Sequence, residues 1–60
     1  MGPEGFNKRD WSVIHLNTAI SLQFQGKMSD ALEKVNEAIR IDPTYEKPYY
    51  RRLQILDDMG

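Results

Sequence analysis

A chain of 60 residues carries one domain at most, and its formal net charge of −1 gives no bulk attraction for nucleic acid or an anionic membrane. With no cysteine and a single histidine, His15, it has no disulfide, no thiolate metal site and no histidine zinc cluster. A chain this short buries only roughly 60% of the surface its unfolded form exposes, so self-association or further sequence is expected to complete its core.

Residues 1–9, opening Met1-Gly2-Pro3-Glu4-Gly5, read as a disordered leader or cloning remnant. Asp10 is then the expected N-cap of a first helix over 11–25. Along it Trp11, Ile14, Thr18, Ala19 and Leu22 recur at helical spacing, and Val13, Leu16, Ile20 and Phe24 make a second apolar stripe. Two stripes imply a helix covered on more than one side, as in stacked helical arrays. Gly26 is a good left-handed stop. Ser29 is placed to cap a second helix over 29–41, with Asp30 favourable to its dipole. Ala31, Leu32, Val35, Ala38, Ile39 and Ile41 give that helix an apolar face, and Pro43 ends it. A third helix is predicted over 46–59, where Pro48 is tolerated because first-turn amides lack intrahelical partners. Tyr49, Arg52, Leu53 and Leu56 share one of its faces, and Gly60 ends it.

No strand pattern occurs, and no apolar run approaches the ~20 residues that span a bilayer. The expected fold is all-α: an antiparallel helical hairpin plus a third helix, over residues 10–60. The lack of cysteine and of a signal-type apolar segment fits a cytoplasmic setting.

The third helix echoes the first at a shift of thirty-four residues: His15 with Tyr49, Ala19 with Leu53, Leu22 with Leu56, Gly26 with Gly60. Between them runs Gly-Lys-Met-Ser-Asp-Ala-Leu-Glu-Lys-Val-Asn-Glu-Ala-Ile-Arg-Ile-Asp-Pro, from Gly26 to Pro43. This stretch resembles the turn and second helix of a tetratricopeptide repeat, a family whose period is ~34 residues. The resemblance covers about residues 12–60, one repeat and the first helix of the next. Of the family signature only Ala31 and Pro43 match literally; His15, Thr18, Ala19, Leu22 and Val35 stand at its other positions. Ala19, Ala31 and Ala38 are small where two helices must approach closely, with Leu22 and Val35 filling the adjoining space.

The resemblance implies a protein-interaction module rather than an enzyme. One subset of the family, found in co-chaperones, clamps the acidic C-terminal tail of heat-shock chaperones ending in Glu-Glu-Val-Asp. Its clamp residues match Asn17, Lys47 and Arg51 here. Lys47 and Arg51, four residues apart, share a helix face, and Arg51 stands thirty-four residues after Asn17. An arginine can give a carboxylate two parallel hydrogen bonds, a lysine adds a compact charge, and an asparagine amide can donate to a second oxygen. The lysine and asparagine that the family carries one repeat earlier are not in this chain, so a partial, weak clamp is expected. The alternative is a scaffold that binds a partner lacking a free C-terminus, or assembles through its exposed helix faces. Asp57-Asp58 has no partner for acid–base work, and neither a nucleophile–base pair nor a phosphate-binding glycine loop is present. No cofactor, metal or nucleic acid is implied; a homo-oligomer is expected.

Overall fold

The computed structural model describes residues 7–60, which form three α-helices: α1 (Lys8–Phe24), α2 (Met28–Ile41) and α3 (Lys47–Met59). α1 and α2 make the predicted hairpin, and α3 follows it as a third helix; no strand occurs among the described residues. None of these helices is long and apolar enough to cross a membrane.

The first helix starts earlier than the sequence suggested. Asn7 is its N-cap, accepting from the amides of Arg9 and Asp10, while the Asp10 carboxylate accepts the Asn7 amide at 2.9 Å. Asp10 is therefore the third-position half of a capping box and not the cap itself. Of the predicted leader over 1–9, residues 1–6 lie outside the described residues, whereas Asn7 to Arg9 belong to the start of α1. At the other end Gly26 takes φ +82, as expected of a left-handed stop. Its amide bonds the carbonyl of Gln23 at 3.0 Å and the Lys27 amide bonds that of Leu22 at 2.9 Å, the paired closure of a Schellman motif. Ser29 does not cap α2: Lys27 holds that position and gives no side-chain hydrogen bond.

Ala19, Ala31 and Ala38 are fully buried, as the predicted close approach of α1 and α2 requires. Leu16, Val35 and Ile55 complete the core around them. The inward face of α1 takes one residue from each of its two apolar stripes, Ala19 and Leu16, and adds Ser12 between them, so the stripes are not both covered as expected. Ser12, Leu16 and Ala19 are buried, while Trp11, Ile14 and Thr18 lie exposed. With apolar residues on two sides, steric fit chooses between them: small Ser12 lets α2 come close, and its hydroxyl donates to the Ala38 carbonyl at 2.8 Å. On α3 the inward residues are Pro48 and Ile55, two turns apart, and the predicted apolar face with Leu53 and Leu56 is turned outward.

A polar clasp joins the start of α1 to the turn before α3. Asp42, only 2% exposed, accepts from the Thr44 hydroxyl at 2.7 Å, from the Thr44 amide at 3.2 Å and from Arg9 Nε at 2.7 Å. The Arg9 guanidinium also lies 4.6 Å from the centre of the Tyr45 ring, a cation–π contact. The Thr44 hydroxyl, then Arg9, holds the Asp42 carboxyl down to about 2 from the usual 3.8. Ionised Asp42 therefore stabilises the fold fully above about pH 4, and that contribution fades as pH falls toward about 2. Thermal melts followed by circular dichroism should decline through that window, and Asp42→Asn should melt lower near neutrality with a flatter decline. A variant whose acid sensitivity equals that of the parent would remove the clasp from the stability of the fold.

Candidate functional site

α1 and α3 both rest on α2 and leave a groove between them, with a volume near 470 Å³. Clefts of roughly 300–1,000 Å³ hold small ligands or a peptide end. From α1 the groove takes Val13, Leu16, Asn17 and Ile20; from α3 it takes Lys47, Tyr50, Arg51 and Gln54; Tyr45 closes one end from the turn. Each helical set has the spacing i, i+3, i+4, i+7 of a single face. Each member on α3 also stands thirty-four residues after its counterpart on α1: Val13 with Lys47, Leu16 with Tyr50, Asn17 with Arg51, Ile20 with Gln54. The repeat seen in sequence thus presents the same four helical positions from both sides of one cleft.

The two walls differ in chemistry. The α1 wall is apolar apart from Asn17, whereas the α3 wall carries two cations, a phenol and an amide. Among the described residues no carboxylate lines the groove, so its described lining is cationic in a chain whose net charge is −1. The Asn17 amide and the Lys47 ammonium have no side-chain partner among the described residues. Arg51 gives Nη1 to Gln23 Oε1 at 3.2 Å, and Gln23 Nε2 in turn donates to Asp58 Oδ2 at 3.1 Å. Through Gln23 the guanidinium is steadied without being neutralised at contact distance, and its other N–H donors remain for a ligand. The clasp adds a further constraint: Arg9 braces Tyr45, and Tyr45 and Lys47 flank the turn that carries α3 into place.

Asn17, Lys47 and Arg51, singled out from sequence, all line this one groove. Sequence reasoning missed Tyr50, Gln54 and Gln23. The thirty-four-residue shift applied to Leu16 and Ile20 would have found the first two. Gln23 leaves no such trace, because its role depends on how α1 and α3 stand to one another. His15 is half-buried, its Nδ1 at 2.9 Å from the Trp11 carbonyl, and it takes no part in the groove. Among the described residues no three His, Cys, Asp or Glu gather as a metal site. No family model, curated protein or solved structure matches this chain.

Proposed function

We propose that this chain is a peptide-binding module of the tetratricopeptide type, whose groove receives the acidic C-terminal tail of a heat-shock chaperone. A cytoplasmic setting goes with that reading, and the chain binds its partner without catalysing a reaction. The observation that carries it is the lining of the groove: Asn17, Lys47 and Arg51 converge from two helices beside an apolar wall, with no carboxylate among the described lining residues. A chain end supplies a carboxylate for Arg51 and Lys47, and an apolar side chain next to it would rest on Val13, Leu16 and Ile20. Asn17 can donate to a carboxylate oxygen while its own oxygen accepts a peptide amide.

Affinity is expected to be weak, since two cationic groups and one amide offer few charge-assisted bonds against the ordering of a flexible tail. The test is titration of the chain, followed by amide NMR, with a peptide ending in Glu-Glu-Val-Asp as the free acid and as its C-terminal amide. The free acid should shift resonances around Asn17, Lys47 and Arg51, and the amide should lose most of that response. Equal response to the two peptides would replace this reading with a scaffold that does not read chain ends.

A further inference from the structure

The outer face of α3 carries an apolar stripe set apart from the Lys47, Arg51 and Gln54 side of the groove. Tyr49, Leu53 and Leu56 follow one another at four and then three residues, the spacing of seam positions in paired helices. Leu53 is 65% exposed and Leu56 46% exposed, while Tyr49 is half-buried with its hydroxyl donating to the Pro43 carbonyl at 3.0 Å, so the stripe lies open along its two leucines. Arg52 precedes Leu53 along one edge of it, and Asp57 follows Leu56 along the other. Those are the flanking positions whose charges choose partner and orientation when two helices pair.

The charges of α3 also run against its own dipole. Its first turn has no acidic residue, its last turn has no basic one, and Asp57 lies beside the negative helix end. Asp57 has no side-chain partner among the described residues. Arg52 holds only a long bond to Asn36, at 3.4 Å, and stands 5.5 Å from the centre of the Tyr49 ring. Each helix thus offers one available cation and one unpaired anion, five residues apart, on opposite edges of one apolar stripe.

We infer that a second copy of this chain covers this face, the two α3 helices lying side by side and parallel. In a parallel pair a leading-edge residue meets the residue five positions on in its neighbour, so Arg52 faces Asp57 of the partner subunit. Two-fold symmetry repeats the contact, and both unpaired aspartates gain a cation. An antiparallel pair would instead set like edges together, arginine toward arginine and aspartate toward aspartate. The face is therefore self-complementary in one orientation only. Lys47, Arg51 and Gln54 occupy the opposite flank of α3, while Tyr50, seven residues before Asp57, shares its edge, so each groove borders the seam and stays open along its Lys47, Arg51 and Gln54 side.

Sedimentation equilibrium of the full chain over a wide concentration series should show the mass rising from monomer to dimer. Arg52→Asp and Asp57→Arg should each hold it at monomer with unchanged helical circular dichroism, and the two together should restore the dimer. A Gly60→Cys variant places a thiol at the next seam position, and should form an intersubunit disulfide on mild oxidation. In an antiparallel pair those residues lie about 16 Å apart, beyond disulfide reach. A native chain that stays monomeric at every concentration overturns the inference, as does a single charge reversal that dimerises like the parent. Absence of the Gly60→Cys cross-link in a dimeric chain overturns the parallel arrangement. Peptide titration is read separately, so failure of the groove reading leaves this result intact.

Discussion

Ala38→Leu is expected to destabilise the chain by about 1–3 kcal/mol, the range for forcing extra carbons into a closely packed contact. Ala38 is fully buried, and its carbonyl accepts the Ser12 hydroxyl at 2.8 Å, so α1 backbone and α2 backbone are already near their limit. A leucine side chain at this position must push α1 outward. That movement strains the Ser12 bond and opens the contacts of Leu16 and Ala19 with α2. Small domains are stable by only about 5–15 kcal/mol, and a chain this short sits low in that range, so the loss is a large share of the total. Urea unfolding followed by circular dichroism gives the measurement. Ser29→Leu, an exposed site on the same helix, is the control and should change the midpoint little. A neutral Ala38→Leu would mean that α1 and α2 do not approach as closely as their small residues imply.

The second large effect is on binding. Arg51→Ala should weaken a free-acid tail by about 2 kcal/mol, roughly thirtyfold, because it removes a charged donor pair from the groove. Arg51 is half-buried and tied only to neutral Gln23, so truncation leaves Gln23 without one partner but strands no buried charge. The fold should therefore persist, which a circular dichroism spectrum checks directly. Arg52→Ala is the matching control. Its side chain lies toward Asn36 and Tyr49 and does not line the groove, so it should leave peptide affinity unchanged. Equal losses from both substitutions would reduce the effect to general charge, and no loss from Arg51→Ala would remove the clamp.

Much of this molecule is legible along the chain because the signals are local. Gly26 stops α1 since its φ of +82 suits a residue without a side chain, and Pro43 stands just past the end of α2 because it cannot continue a helix. Ala19, Ala31 and Ala38 announce a close helix contact by size alone, and all three are buried. Asn17, Lys47 and Arg51 share a groove because helical spacing and the thirty-four-residue shift put equivalent positions on both walls. These are properties of periodicity, and periodicity is written in sequence.

What only the tertiary structure decided concerns which of several equivalent faces turns inward. α1 carries apolar side chains almost all round, so hydrophobic spacing could not choose Ser12, Leu16 and Ala19 over Trp11, Ile14 and Thr18. The choice fell to shape, since the side with a serine and an alanine admits α2 and the side with a tryptophan does not. On α3 the same ambiguity hid Ile55 behind the more conspicuous Leu53 and Leu56. Arg9 and Asp42 stand thirty-three residues apart, and their bond exists because the turn after α2 returns to the start of α1. No local pattern encodes that meeting. A long-range polar contact depends on the positions of whole helices, and those follow from packing all three together.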